Sequence, residues 1–175
     1  MTRAMLAVAV VLAAPPAAFA HVTLEQDEAP AASIYEGVFS VGHGCDGSPT
    51  VAIRVQIPDG VVNVEPEPVA GWELEVETVT YDQPVEVGGE TYSEGVRVIA
   101  WHGGNLPDGT QEGFSFRALL PEAEPGTVIY FPVVQECVEG TNRWIETGAD
   151  GHGGHGDHGS PAPSVTIIGK EASNR

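Results

Sequence analysis

The sequence predicts an all-β protein built as a single antiparallel β-sandwich, and three observations support this. The 22 glycines and 14 prolines among 175 residues suit short elements joined by tight turns. Apolar residues recur at every second position in several segments, which is typical of half-buried strands. No segment between them shows the 3.6-residue apolar period of a helix, so alternating strands and helices are not expected.

Residues 1–20 have the features of a cleaved signal peptide. They contain one positive charge at Arg3, an apolar run over 4–14, and the A-x-A sequence Ala18-Phe19-Ala20. The apolar run is about half of the ~20 residues that a membrane-spanning helix requires. Cleavage between Ala20 and His21 would leave a domain of residues 21–175 in the periplasm or secreted, and no later apolar stretch reaches spanning length.

The expected strands follow one another at intervals of roughly 15 to 20 residues, separated by turns rich in Gly, Pro and Asp. The clearest is 51–57, where Val51, Ile53 and Val55 alternate with less apolar residues until Pro58-Asp59-Gly60 ends the run. The same reasoning predicts strands over 22–24, 35–41, 51–57, 72–77, 96–100, 114–118, 128–134 and 165–168. This arrangement favours an immunoglobulin-like or cupredoxin-like sandwich.

The two cysteines, Cys45 and Cys137, are expected to form a disulfide in an oxidising compartment. The bond would close a loop with a 92-residue separation, which the chain-entropy model values at ~4 kcal/mol. Two buried thiols, or copper-binding thiolates, are the alternatives. Their spacing makes no metal-binding motif.

The charge balance and the absence of motifs exclude several functions. With 25 Asp and Glu against 7 Lys and Arg, the formal charge is -18, so nucleic acid is not an expected partner. Alternation of Glu73, Glu75 and Glu77 with apolar residues indicates a solvated carboxylate face. The sequence contains no G-x-S-x-G, H-E-x-x-H or phosphate-binding glycine loop, and we predict that the protein is not an enzyme.

After cleavage, His21 would carry a free α-amine and an imidazole on one residue, which together can chelate a metal ion. The amine has an ordinary pKa of about 7.7 to 8.0 and the imidazole about 6.5, so the metal must displace a proton near neutral pH. Copper leads the Irving–Williams order and suits nitrogen-rich tetragonal sites. The sequence therefore predicts a Cu(II) ligand at His21, although a histidine can also follow a cleavage site by chance.

Residues 148–163 form a Gly- and His-rich insertion, after which the chain returns to a strand. His152, His155 and His158 are spaced three apart and could form an auxiliary metal site, or they could belong to a solvated linker. The isolated His43 and His102 lie near turns and are expected to be structural.

Three tryptophans are present, and two have a ready explanation. Trp72 and Trp101 lie in the alternating register of predicted strands and are expected in the core. Trp144 follows Cys137 by seven residues, where the last long strand gives way to the His-rich insertion. It could belong to the core or form a wall over a metal site.

Four segments carry a resemblance to a known family: HVTLEQDEAP at the predicted cleavage site, VGHGCDGSPT, EPVAGWELEVE, and YFPVVQECVEG followed by RWIE. Together they resemble the YcnI-like family, also called DUF1775. The resemblance implies an exported β-sandwich that binds Cu(II) through a mono-histidine brace, with the two nitrogens supplied by His21 and with Trp144 close to the metal. A carboxylate is expected to complete the site, with Glu28 as the first choice and Glu112 as the second.

The predicted function is copper handling in the periplasm, by buffering Cu(II) or delivering it to a copper chaperone or copper importer. The resemblance implies these partners because genes of the family tend to lie beside theirs. One alternative is an oxidative copper enzyme of the polysaccharide monooxygenase type, which generally uses a second imidazole that only His43 or His102 could supply. The other is a metal-free structural or adhesion sandwich.

Overall fold

The computed structural model describes residues 21–148 and 160–169, and all regular secondary structure within these two ranges is β-strand. The strands in chain order are β1 (Thr23–Leu24), β2 (Glu28–Pro30), β3 (Ile34–Val41), β4 (Thr50–Gln56), β5 (Val62–Pro66), β6 (Glu73–Val87), β7 (Glu90–Leu106), β8 (Glu112–Leu119), β9 (Val128–Tyr130), β10 (Val133–Cys137), β11 (Thr141–Trp144) and β12 (Ser164–Ile168). Within the same ranges, no helix is long and apolar enough to cross a membrane.

The strands form three hydrogen-bonded sheets around one core. The four-stranded sheet has the order β1-β3-β8-β5, the five-stranded sheet β11-β10-β4-β7-β6, and the three-stranded sheet β2-β12-β9. Neighbouring strands are antiparallel except β2 and β12, which are parallel. The predicted antiparallel β-sandwich is confirmed, and the parallel pair is an addition that the sequence did not indicate.

Aromatic side chains from several strands fill the space between the sheets. Phe39 of β3 stacks on Phe116 of β8, with ring centroids 5.1 Å apart, and meets Phe131 edge to face at 6.0 Å. Trp101 of β7 is fully buried, and its indole N–H donates to the backbone oxygen of Glu67 at 2.8 Å. Burying such large rings removes much apolar surface from water and stabilises the fold.

Two predicted strands differ from those observed. The segment predicted as one strand over 128–134 is divided into β9 and β10, because Pro132 has no backbone N–H with which to continue a ladder. The chain uses this break to pass from the three-stranded sheet to the five-stranded sheet. Trp72 lies just before β6 instead of within it, although it still packs edge to face on Phe114, with centroids 4.9 Å apart.

The long hairpin of β6 and β7 extends well beyond the strands predicted there. Gly88 and Gly89 form its two-residue turn, and both have positive φ angles, of 62° and 84°. Such a turn twists in the sense that flanking strands require, and glycine adopts it without strain. The pairing of Val87 with Glu90 closes the hairpin directly at this turn. The strands β2, β5 and β11 were also not predicted.

The disulfide between Cys45 and Cys137 is present, with its sulfur atoms 2.06 Å apart. Cys45 lies in the loop after β3, where its backbone pairs with Ser48 in a tight turn, and Cys137 ends β10. Both cysteines are buried. The bond therefore joins a loop leaving the four-stranded sheet to a central strand of the five-stranded sheet.

Candidate metal centre

His21 and Trp144 lie side by side where two sheet edges meet. His21 lies two residues before β1, an edge strand of the four-stranded sheet, and Trp144 ends β11, an edge strand of the five-stranded sheet. Their ring centroids are 5.1 Å apart, with the ring planes inclined at 45°. The structure therefore brings together the two residues that the sequence analysis placed at the metal, although they are more than a hundred positions apart.

The position of His21 is fixed by the residues that follow it. Thr23 pairs with Ser40 and Leu24 with Phe39, so β1 is held along β3. The side chains of Val22 and Leu24 are buried in the core. His21 itself is half-buried, which places its imidazole at the boundary between the core and solvent.

Trp144 is fixed from the opposite sheet. It pairs with Val133 of β10, and its side chain belongs to the hydrophobic core with 8% of the residue exposed. Its indole N–H donates a hydrogen bond to the Oε1 atom of Gln135 at 3.2 Å. Trp144 is thus both a core residue and a neighbour of His21, so a place in the core does not exclude a place beside the candidate site.

A concavity of about 420 Å³ opens beside His21. Its polar lining residues are His21, Thr23, Asp27 and Ser164. Its apolar lining comes from β1 and the residue before it, and from the segment before β12, namely Val22, Leu24, Pro161, Ala162 and Pro163. Asp27 is the carboxylate of this concavity, and the sequence analysis did not select it. The signal was limited to its place in the acidic segment after His21, which it shares with Glu25 and Glu28.

The loop that carries Asp27 is anchored to two core elements. The backbone N–H of Thr166 in β12 donates to the backbone oxygen of Asp27 at 2.7 Å, and the buried Tyr35 hydroxyl donates to the backbone oxygen of Gln26. Burial, and then the negative charge of Asp27, raise the pKa of Tyr35 to about 12. Tyr35 therefore keeps its proton at any physiological pH and holds the loop in place.

A family model described as "Domain of unknown function (DUF1775)" matches residues 21–167. The chain belongs to the DUF1775 family. A crystal structure of an uncharacterized protein from Nocardia farcinica, reported to reveal an immunoglobulin-like fold, is similar to the DUF1775 domain at a TM-score of 0.63 and 22% identity. The similarity covers 86% of this chain and 99% of that one, and it bears on the fold alone. No curated protein matches the chain.

The two glutamates expected at the metal occupy different places in the DUF1775 domain. Glu28 is exposed on β2, where its backbone pairs with Thr166. Glu112 begins β8 opposite Val41, and its Oε1 accepts from the backbone N–H of Gly113 at 3.2 Å. Across residues 21–148 and 160–169, no three His, Cys, Asp or Glu side chains form a group that could hold a metal ion. His21, Glu28 and Glu112 are therefore not such a group.

The two remaining histidines of the described DUF1775 domain each lie beside carboxylates. His43 Nδ1 is 3.6 Å from Asp108 Oδ1, and the same oxygen accepts from the Gly44 backbone N–H at 2.8 Å. The ring nitrogens of His102 lie 3.9 Å from Glu73 and 3.7 Å from Glu75. Neither histidine lines the concavity of His21.

The His-rich insertion of the DUF1775 domain begins and ends beside the candidate site. His152, His155 and His158 lie outside the described residues, as does the predicted signal peptide of residues 1–20. On the described flanks, the backbone N–H of Glu146 donates to Ser160 at 3.1 Å and that of Ala162 donates to Glu146 at 2.9 Å. Because residues 161–164 line the concavity of His21, both ends of the insertion are tied near it.

Proposed function

We propose that this DUF1775 domain binds Cu(II) at His21 after export and acts in periplasmic copper handling, buffering the ion or passing it to a copper chaperone or importer. The observation that carries the proposal is the contact of His21 with Trp144, beside a concavity that contains the Asp27 carboxylate. The match to the family model begins at His21, the residue that the predicted cleavage would leave first.

The donors available at this place suit Cu(II). Once the signal peptide is removed, His21 would offer its α-amine and its imidazole as a chelating pair. One residue would then supply two nitrogen ligands without a second histidine. Asp27 would add a carboxylate oxygen from the same concavity. Nitrogen-rich sites with an oxygen donor favour Cu(II) among the divalent first-row metals. The formal charge of -18 would also raise the local concentration of cations.

The oxidative alternative has less support than copper handling. An enzyme of the polysaccharide monooxygenase type generally needs a second imidazole facing the first. His43 and His102, the candidates for it, each lie within 4 Å of a carboxylate, and neither lines the concavity of His21. A metal-free sandwich assigns no role to the pairing of His21 with Trp144.

Addition of Cu(II) is expected to quench the fluorescence of Trp144. A paramagnetic ion held by His21 would lie close to an indole whose ring centroid is 5.1 Å from that of the imidazole. Trp144→Phe should therefore remove most of the quenching in a fluorescence titration of the mature protein. Trp72→Phe and Trp101→Phe are the matched controls, and both should leave the quenching in place. Full quenching in Trp144→Phe would contradict the proposal.

Among the acidic residues, Asp27→Asn is expected to weaken Cu(II) binding more than Glu28→Gln or Glu112→Gln, because only Asp27 lines the concavity of His21. Mutation of residues that only support the direct ligands of a metal lowers its affinity by ~10–100-fold. Loss of the Asp27 oxygen, a direct ligand, should lower the Cu(II) affinity by more. Competition with a chelator of known affinity would measure all three variants. A larger loss in Glu28→Gln or Glu112→Gln would instead support the carboxylate expected from the sequence.

A further inference from the structure

Gln135 of β10 is a fully buried amide for which neither the sequence nor the proposed function supplies a role. Among the described residues, the buried polar or charged side chains are Thr50 and Gln135, each with no exposed area. A buried amide without hydrogen-bond partners would strongly destabilise the fold. The contacts of Gln135 must therefore explain how its amide is accommodated in the core.

The amide of Gln135 makes four hydrogen bonds. Its Nε2 group donates to the backbone oxygen of His43 at 2.6 Å and to the hydroxyl of Thr50 at 2.7 Å. Its Oε1 atom accepts from the indole N–H of Trp144 at 3.2 Å and from the Asn142 amide at 3.4 Å. Both hydrogens and both lone pairs of the amide are used, so the group is saturated.

The chemistry of these partners fixes which way the amide points. A backbone oxygen such as that of His43 can only accept, and an indole N–H such as that of Trp144 can only donate. The residue between them must carry a donor and an acceptor at the end of one side chain, which glutamine does. A glutamate would face the His43 oxygen with another acceptor, and an apolar residue would leave both groups unpaired.

The anchor for this amide comes from the disulfide loop. His43 lies two residues before Cys45, and the Thr50 hydroxyl is 3.9 Å from the Cys137 sulfur. Gln135 therefore connects a covalently fastened part of the fold to the indole that contacts His21. The connection runs through side-chain hydrogen bonds inside the core, where such bonds are worth more than at the surface.

We infer that Gln135 is a positioning residue of the candidate site: its amide fixes the indole of Trp144 against His21. The role of this contact in copper binding rests on the proposed function, but the contact itself can be tested without copper. Gln135 does not line the concavity, so its effect on the site is exerted through the hydrogen bond to Trp144.

The test compares Gln135→Met with the wild-type mature protein by NMR in the absence of metal. The three tryptophans give three indole N–H signals, and Trp144→Phe identifies the signal of Trp144. In Gln135→Met, this N–H should exchange with solvent about tenfold faster, as expected for loss of one hydrogen bond. The ring protons of His21 should shift as they do in Trp144→Phe, because the ring current of the indole moves.

Asn142→Ala is the matched control, since it removes the other donor to Gln135 Oε1 and leaves the Trp144 bond in place. It should leave both the Trp144 exchange rate and the His21 signals unchanged. If Gln135→Met does not fold, the exchange of the indole N–H groups with solvent in the wild-type protein is the test. The Trp144 N–H should then be as protected as that of Trp101, which donates to the backbone oxygen of Glu67.

An unprotected Trp144 N–H, or unchanged His21 signals in a folded Gln135→Met, would overturn the inference. Addition of Cu(II) then separates the two proposals. Failure of the wild-type protein to bind Cu(II) would refute the proposed function. The Trp144 and His21 signals measured without copper would still test the role of Gln135. With copper bound, Gln135→Met should show altered quenching of Trp144 while Asn142→Ala quenches as wild type does.

Discussion

One additional residue in front of His21 is expected to weaken Cu(II) binding by more than about a hundredfold. The added peptide bond converts the α-amine of His21 into an amide nitrogen, which binds a metal only after losing its proton, so the amine–imidazole chelate of His21 is lost. Even groups beyond the direct ligands of a metal site contribute ~10–100-fold to affinity, so removal of a direct ligand should cost more. His21→Ala, which keeps a free terminal amine but loses the imidazole, should show a comparable loss.

Competition against a chelator of known Cu(II) affinity would measure these losses. His152, His155 and His158 supply other nitrogens, so the comparison should be repeated after deletion of residues 150–159. That deletion alone should preserve tight binding and abolish any weaker second event. Equal affinity with and without the added residue would contradict the brace. Loss of tight binding on deleting the insertion would place the ligands there.

Replacement of both Cys45 and Cys137 by alanine is expected to lower the free energy of unfolding by about 2–4 kcal/mol. The bond closes a loop with a separation of 92 residues, and its loss gives the unfolded chain more conformational freedom. Both cysteines are buried, so the variant also loses packing. Copper should stay bound to the folded variant at room temperature, because neither cysteine contributes to the concavity of His21.

Urea unfolding of the wild-type protein and of the double variant would measure this difference. The wild-type protein unfolded with and without a reductant is the control, since reduction should reproduce the effect of the double variant. Unchanged stability in both comparisons would refute the stabilising role of the bond. Free thiols counted in protein purified from the periplasm would refute the bond itself.

The sequence predicted the fold well where the pattern of a single strand was sufficient. The alternation of Val51, Ile53 and Val55 predicted β4, and the cysteine count in an expected exported chain predicted the disulfide. It failed where a strand depends on its neighbour. Pro132 divides an apolar run between two sheets, and β11 is defined by its pairing with β10.

The candidate site was predictable only in part, for a related reason. His21 and Trp144 were selected from a predicted cleavage site and a family resemblance, and the structure places them in contact. Asp27 and Gln135 were missed because nothing in their local sequence distinguishes them. Asp27 reaches the concavity through a loop held by β12, and Gln135 reaches Trp144 across the β10–β11 pair. Contacts between distant segments leave no local period to detect.

Nitrogen couplings in the electron paramagnetic resonance of the Cu(II)-loaded mature protein test the central claim most directly. If His21 supplies both its α-amine and its imidazole, the spectrum should contain couplings to two chemically different nitrogens, and 15N-labelling of histidine should change both. A form with one residue added before His21 should lose the amine coupling. Couplings from imidazole alone, identical in the mature and extended forms, would contradict the histidine brace.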